Sequence, residues 1–222
     1  MDPEVYLWLA EARDWRITRV LDTHVHADHL SRSRRLAEQA GATLHMPEGS
    51  PVSYPFSALG DGDALRVGSA TLEAVMTPGH TPESTSYLLD GRAMFTGDTL
   101  FLSAVGRPDL DVTPEGSREK ARHLYNSLRR FLVLEPETLV LPGHTSEPVA
   151  FDGEPICAPL SEVRENLSVL REEEDAFVER IASRASPTPS NFERIVELNR
   201  AGEYPEENPN ELEAGANRCA AG

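Results

Sequence analysis

A dense cluster of potential metal ligands near the start of the sequence constrains this chain more than any other feature. Four such residues fall within six positions: His24, His26, Asp28 and His29. The apolar pattern predicts a β-strand before this cluster and a helix over residues 29–40 after it. Alternation at a strand end points His24 and His26 to one side. Asp28 and His29 then fall in the first helical turn and can face a second ion. We therefore predict a metal site where this strand ends.

Three later segments repeat the arrangement of an apolar strand, a tight turn and one potential ligand. They present His80 after a Thr-Pro-Gly turn, Asp98 after a Thr-Gly step and His144 after a Leu-Pro-Gly turn. A histidine-rich turn alone also allows a structural role, with imidazoles that are satisfied by hydrogen bonds, but four segments of one type favour a shared metal centre. For the two remaining histidines, His45 and His123, we expect structural roles.

The order of these segments, His-x-His-x-Asp-His and then a distant His, Asp and His, resembles the metallo-β-lactamase superfamily over residues 17–145. This resemblance implies a mixed α/β fold, the αββα sandwich, with a metal site at the edge where the strand-end loops meet. The ligands that it implies are His24, His26 and His80 for a first metal ion, Asp28, His29 and His144 for a second, and Asp98 as a bridge. Asp28 and Asp98 are then the expected catalytic carboxylates.

The resemblance implies a metallo-β-lactamase-like catalytic domain over residues 1–150, and apolar periodicity predicts a helical extension with an irregular tail over residues 151–222. In the first region, short strands alternate with helices, the longest at residues 117–132, which is typical of an α/β architecture. In the second region we predict three helices, the last of them behind a capping box of Ser190 and Glu193.

The beginning of the sequence departs from the superfamily pattern. Members normally build strands of the first sheet before an Asp-Pro turn, whereas here Asp2 and Pro3 directly follow Met1. Either the chain starts further upstream, or the first sheet lacks its first strands and pairs its open edge with another chain. The second interpretation leaves a homodimer open as the oligomeric state.

Charge and composition argue against several classes of partner. The formal net charge is −16 and the pI is about 4.8, which disfavours nonspecific binding to nucleic-acid phosphates or anionic lipids. No apolar run reaches the roughly 18 residues of a membrane span. The N-terminus lacks the basic patch and following apolar stretch of a signal peptide. Cys157 and Cys219 are too few and too far apart for a disulfide framework. We expect a cytoplasmic protein that acts on a small molecule.

The loop after Asp98 separates branches of the superfamily. Its Gly-Arg-Pro-Asp-Leu sequence, residues 106–110, resembles the persulfide dioxygenases, the branch of the ethylmalonic encephalopathy protein. Glyoxalase II enzymes usually carry a Gly-Cys-Gly turn there. The resemblance implies one iron(II) ion per chain, held by His24, His80 and Asp98. It also implies oxidation of glutathione persulfide, or of another low-molecular-weight thiol persulfide, to sulfite. The remaining ligand-type residues would then orient the ligands and handle protons.

Two alternatives to this function remain open. All seven ligand positions are retained, so the chain could be a two-zinc thioester hydrolase of the glyoxalase II type. In such an enzyme a zinc-bound water attacks a carbonyl carbon. The chain could also be a metal-stabilised scaffold without turnover.

Arg107 and Tyr125 are the candidates for contacts with the substrate. A guanidinium group suits a substrate carboxylate, although an ion pair with Asp109 or Asp111 is the alternative for Arg107. The Tyr125 hydroxyl could point into the iron pocket, whereas its place on the apolar stripe of a helix favours core packing.

Overall fold

The computed structural model describes residues 2–110, 112–145, 149–150, 152–184, 188, 190–205, 209–214 and 219–221. Their helices are α1 Pro3–Glu11, α2 Ser33–Ala40, α3 Pro114–Phe131, α4 Leu160–Asn166, α5 Glu174–Ser183, α6 Phe192–Ala201 and α7 Pro209–Leu212, with a 3-10 turn at Ser168–Arg171. Their strands are β1 Arg19–Leu21, β2 Thr43–Pro47, β3 Ser57–Leu59, β4 Ala64–Val67, β5 Ala70–Met76, β6 Thr85–Leu89, β7 Ala93–Gly97, β8 Val105–Gly106, β9 Leu139–Pro142, β10 Ala158–Pro159 and β11 Ala220–Ala221.

The chain divides into two compact units. The first unit comprises Met1–Leu59 and Pro189–Asn217, and the second comprises Gly60–Thr188 and Arg218–Gly222. Each unit therefore draws segments from both sides of residue 150. The division into a catalytic domain and a helical extension concerns function and stays a prediction.

A parallel sheet in the order β1-β2-β3 organises the first unit. Apolar side chains from this sheet, from α2 and from the neighbouring loops form its core: Val20, Val25, Leu36, Ala37, Leu44, Met46 and Tyr54. Burial of these side chains is the main force that holds the sheet and the helix together. The core fixes β1, and the histidine cluster begins where β1 ends.

The helix after the histidine cluster begins later than predicted. Because α2 starts at Ser33, Asp28 and His29 lie in a loop, and their placement in a first helical turn is wrong. The backbone N–H groups of Leu30 and Ser31 donate to side chains that lie 183 and 168 residues further along the chain. The His29 carbonyl oxygen, which would accept the Ser33 N–H in a helix begun at His29, instead accepts a hydrogen bond from the Asn199 side chain.

A six-stranded sheet in the order β10-β9-β7-β6-β5-β4 organises the second unit. β7 and β9 run parallel, and the other neighbouring strands are antiparallel. The predicted amphipathic helix is confirmed as α3, whose apolar face is buried in the main core of this unit. It begins at Pro114 rather than at residue 117, because the Thr113 hydroxyl caps it by accepting the Gly116 N–H at 3.2 Å.

Two local predictions for the last third of the chain are wrong. The residue before α6 is Asn191, in a left-handed conformation with φ of 65° and no side-chain cap, so Ser190 and Glu193 form no capping box. The tail is not wholly irregular, because it contains α7 and because β11 pairs antiparallel with β8. None of the helices in the described ranges has the length and apolar character needed to cross a membrane.

Candidate metal centre

The histidine loop, residues 23–32, gathers potential donor atoms just after β1. One donor atom from each of His26, Asp28 and His29 lies within 4.8 Å of the other two. The His29 Nδ1 atom is 3.1 Å from Asp28 Oδ1. The ring centroids of His24 and His26 are 4.4 Å apart. The first unit thus brings four of the predicted ligands close together.

Asp22 supports this loop, and sequence reasoning misses its role. Its carboxylate accepts hydrogen bonds from the Ser31 hydroxyl at 2.9 Å and from the Ser33 hydroxyl at 2.6 Å. His26 Nε2 lies 3.8 Å from the same carboxylate. Burial alone would raise the pKa of Asp22, but the His26 ring and the two hydroxyls outweigh burial and hold this pKa below its usual value. Asp22 therefore stays ionised and ties both ends of the loop together.

In the second unit, Asp98 lies between two of the predicted histidine ligands. His80 Nε2 is 3.7 Å from Asp98 Oδ2, and His144 Nδ1 is 2.8 Å from Asp98 Oδ1. His80 Nδ1 lies 3.0 Å from the carbonyl oxygen of Arg107. Because a carbonyl oxygen can only accept, Nδ1 carries the hydrogen and Nε2 keeps the lone pair that a metal ion requires. The second unit thus brings the other three predicted ligands together.

Two glycines keep the space around Asp98 clear. A Cβ atom on Gly143 would lie 2.6 Å from Asp98 Oδ1, and a Cβ atom on Gly106 would overlap the Asp98 carbonyl oxygen. Neither position can carry a side chain unless Asp98 moves, because protein interiors are already close-packed. The glycine of the Leu-Pro-Gly turn is therefore required by the position of the carboxylate.

The donor groups in both units fit a divalent metal ion. Imidazole nitrogens and carboxylate oxygens are ligands of zinc and of iron(II). The tautomer of His80 leaves the correct nitrogen available, and the hydrogen bonds around Asp22 and Asp98 are of the kind that orient metal ligands. The identity of the ion, and how the seven residues share one or two ions, stay predictions.

The two predicted substrate residues have partners within the protein. The buried Arg107 guanidinium donates from Nε to Asp109 Oδ1 at 2.8 Å and from Nη2 to Asp109 Oδ2 at 2.7 Å, the ion pair considered as its alternative. The Tyr125 ring packs against Phe177 with centroids 5.4 Å apart, and the Arg129 guanidinium lies 4.4 Å from its centroid. Contacts of Arg107 and Tyr125 with a substrate stay predictions.

The two histidines outside the cluster lie on regular elements. His45 is buried in β2, and within the described part of the chain neither of its ring nitrogens has a hydrogen-bond partner. His123 lies on the exposed side of α3. Neither belongs to a group of closely spaced donor atoms among the described residues.

Sequence reasoning also misses Asn199 and Glu213, which bind the backbone of the histidine loop from the other end of the chain. Asn199 is buried near the end of α6, next to the apolar residue Leu198. A polar residue on the buried side of an amphipathic helix is the one signal that could have identified it.

The chain is similar in sequence to a known protein family and to several curated proteins. The family described as the metallo-beta-lactamase superfamily matches residues 2–144. The hydroxyacylglutathione hydrolase of Rhizobium johnstonii is 36% identical over 138 residues, which cover 61% of this chain and 51% of that protein. The hydroxyacylglutathione hydrolase of Methylococcus capsulatus is 35% identical over 193 residues, which cover 82% of this chain and 72% of that protein. The match thus spans about half the length of the Rhizobium protein.

Solved structures share the fold over most of the chain. ETHE1 from Myxococcus xanthus matches with a TM-score of 0.76 at 34% identity, covering 90% of this chain and 84% of that one. A metallo-beta-lactamase from Staphylococcus aureus matches with a TM-score of 0.82 at 26% identity, covering 91% of this chain and 64% of that one. Both likenesses extend well beyond the histidine loop.

Proposed function

Because the chain belongs to the metallo-β-lactamase superfamily, as the order of its motifs predicts, we propose that it is an iron(II)-dependent dioxygenase of low-molecular-weight thiol persulfides. The mixed α/β fold implied by the resemblance is confirmed. In the proposed reaction one persulfide, one O2 and one water give one thiol, one sulfite and two protons. The terminal sulfur loses four electrons to O2, and the sulfur–sulfur bond breaks.

The observation that carries this proposal is the contact between the branch-specific loop and a predicted ligand. Residues 106–110 have the sequence that resembles persulfide dioxygenases, and the Arg107 carbonyl oxygen of this loop lies 3.0 Å from His80 Nδ1. The loop therefore acts on the orientation of a ligand. Further support comes from ETHE1, whose name belongs to the ethylmalonic encephalopathy branch and whose chain is matched over 84% of its length.

In this proposal His24, His80 and Asp98 hold one iron(II) ion. A bound iron(II) with two histidine ligands and one carboxylate supplies open positions for a persulfide sulfur and for dioxygen. The Arg107 carbonyl fixes the tautomer of His80, and the Thr23 hydroxyl, 2.9 Å from His24 Nδ1, restrains the His24 ring. These contacts prepare both imidazoles for binding before the ion arrives.

The second candidate function is a two-zinc thioester hydrolase of the glyoxalase II type. The close spacing of donor atoms from His26, Asp28 and His29 favours it, because in a two-ion centre His26 would bind the first ion, and Asp28 and His29 would bind the second. The two curated relatives described above are also named hydroxyacylglutathione hydrolase. Bound zinc would lower the pKa of a water to about 7 and so supply a hydroxide for attack on the thioester carbonyl.

Metal analysis combined with two activity assays distinguishes these functions. The protein is purified under anaerobic conditions without added metal, and oxygen uptake and sulfite release are measured with glutathione persulfide. We expect about one iron per chain and oxygen consumption matched by sulfite. Two zinc ions per chain with hydrolysis of S-lactoylglutathione and no oxygen uptake would refute the dioxygenase and support the hydrolase. A metal-loaded protein that is inactive in both assays would support the remaining alternative, a metal-stabilised scaffold without turnover.

A single variant gives an independent comparison of the two metal contents. His29→Ala removes a donor that only the two-ion centre requires, and His123→Ala is the matched control on the exposed side of α3. If one iron is bound, both variants keep the metal content of the wild-type protein. If two zinc ions are bound, His29→Ala loses about half of its metal and His123→Ala loses none.

A further inference from the structure

We propose that Asn199 is a positioning residue, whose carboxamide holds the backbone of the histidine loop in its ligand-ready shape before any metal binds. The inference rests on the proposed function only in taking His26, Asp28 and His29 to lie at the metal centre. It concerns the geometry of the loop, whose residues His26, Asp28 and His29 would bind ions in a two-zinc centre and orient the ligands in a one-iron centre.

All the hydrogen-bonding groups of the Asn199 side chain are directed at this loop. Its Nδ2 donates to the carbonyl oxygen of His26 at 2.8 Å and to that of His29 at 2.9 Å. Its Oδ1 accepts the N–H of Ser31 at 2.8 Å. Two carbonyl oxygens and one N–H group as partners fix the orientation of the amide, because only one of its ends can donate. The side chain is 5% exposed, so water does not compete well for these bonds.

The loop needs such a partner because it forms no helix or strand of its own. Residues 22–32 contain bends but no helix or strand, and α2 begins only at Ser33. Backbone groups in such a segment must find side chains or water as partners, and buried groups that find none cost free energy. The three Asn199 bonds span the segment from His26 to Ser31. That segment contains both Asp28 and His29, so the carboxamide sets the path of the backbone that carries the donors.

A second contact supports the same loop at a different point and provides a control. Glu213 Oε1 accepts the Leu30 N–H at 2.9 Å, and its carboxylate forms a bidentate ion pair with Arg32 at 2.8 and 3.1 Å. Burial alone would raise the pKa of Glu213, but the Arg32 guanidinium outweighs it and holds this pKa below its usual value. Glu213 forms no hydrogen bond with the His26 or His29 carbonyl groups among the described contacts, so Glu213→Gln leaves the Asn199 bonds in place, although it also removes the carboxylate charge that acts on the His29 ring.

The test compares Asn199→Asp with Glu213→Gln, both of which preserve shape. Asn199→Asp keeps an acceptor for the Ser31 N–H but turns an oxygen toward the carbonyl oxygens of His26 and His29. A new negative charge by itself favours a cation, so a loss of metal affinity in this variant cannot be an effect of net charge. Asn199→Ala, which adds no charge, is the second variant if Asn199→Asp does not fold.

Two readouts separate positioning from general stability. In the metal-free protein, we expect Asn199→Asp to speed amide hydrogen exchange across residues 24–31, while α3 stays protected as in the wild type. In cobalt(II) titrations against a chelator, well below the unfolding temperature, we expect about tenfold or greater loss of affinity and altered ligand-field bands. For Glu213→Gln we expect metal affinity within about threefold of the wild type.

Two results would overturn the inference. One is wild-type exchange in residues 24–31 of a folded Asn199→Asp protein. The other is a lowered melting temperature with unchanged cobalt affinity and spectrum, which is what a merely structural asparagine gives. If the wild-type protein binds no metal, the proposed function fails, and the exchange data for the metal-free proteins still decide whether Asn199 orders the loop.

Discussion

Substitution of Gly143 by alanine tests whether the clear space beside Asp98 matters for metal binding. The new Cβ would lie 2.6 Å from Asp98 Oδ1 and 3.2 Å from the Gly97 carbonyl group. To restore an ordinary contact of about 3.4 Å, the carboxylate must move by about 0.8 Å. Asp98 Oδ1 is the atom that lies 2.8 Å from His144 Nδ1, so this movement also breaks or lengthens that hydrogen bond.

The expected cost follows from the size of this displacement. A shift of about 1 Å in a reacting or ligating group can cost about a hundredfold in rate, and lost support for metal ligands costs about 10- to 100-fold in affinity. We therefore expect Gly143→Ala to lower iron(II) or zinc affinity by about 10- to 100-fold in chelator competition, with kcat/KM falling in parallel. The far-UV circular dichroism spectrum stays unchanged, because the clash is confined to a turn.

Gly41→Ala is the matched control for this substitution. Gly41 ends α2 with φ of 61°, and an added Cβ there would meet no atom within 4 Å. The variant therefore carries backbone strain of about 1 kcal/mol without a clash. In a chain of this size its Tm falls by about 2–4 °C while metal affinity is unchanged. Wild-type metal affinity in Gly143→Ala would show that the carboxylate has room to spare and that the steric reasoning is wrong.

Three further substitutions test the packing and the pH response. Burial and the Arg19 charge lower the pKa of His45 from its usual 6.5. As the pH falls below 6.5, His45 is protonated in the unfolded chain before it is protonated in the folded chain. The free energy of unfolding therefore decreases at acidic pH. We expect His45→Leu to raise the free energy of unfolding by about 1–2 kcal/mol in urea titrations, with a larger gain at pH 5.5 than at pH 7.5. A variant that is less stable than the wild type would contradict this expectation. Leu124→Ala, at a fully buried position of α3, should cost about 2–5 kcal/mol in the same titrations, and a loss below 1 kcal/mol would argue against tight packing there. Thr113→Ala should cost about 1 kcal/mol through the lost cap of α3, with no change in metal content.

The candidate ligands could be predicted from the sequence because each one belongs to a short pattern of neighbouring residues. His80, Asp98 and His144 all follow an apolar strand and a glycine turn, and a strand end followed by such a turn is readable from a few residues. The strands of the six-stranded sheet and the amphipathic face of α3 are local patterns of the same kind. The predicted helix is confirmed as α3, with its start at Pro114 rather than at residue 117, whereas β4 and β10 of that sheet were not predicted.

The errors arise where distant residues decide local structure. In a helix that began at His29, the His29 carbonyl oxygen would accept the Ser33 N–H. Instead this oxygen accepts a hydrogen bond from the distant Asn199 side chain, and the Ser33 N–H donates to the Ser31 hydroxyl. Likewise β11 has only two residues, and it is a strand only because it pairs with β8. No window of neighbouring residues contains that information, because the partners are more than 100 residues away.

The long separation between the histidine loop and its two supporting side chains sets an order of events during synthesis. Asn199 and Glu213 follow their partners in the loop by 168 to 183 residues. At roughly 5–20 residues per second, a ribosome makes the loop about 8 to 37 seconds before it makes the side chains that hold it. Closing so long a chain segment is also entropically slow compared with forming a local turn. We therefore expect the histidine loop to reach its final shape only after residues 199 and 213 have been made.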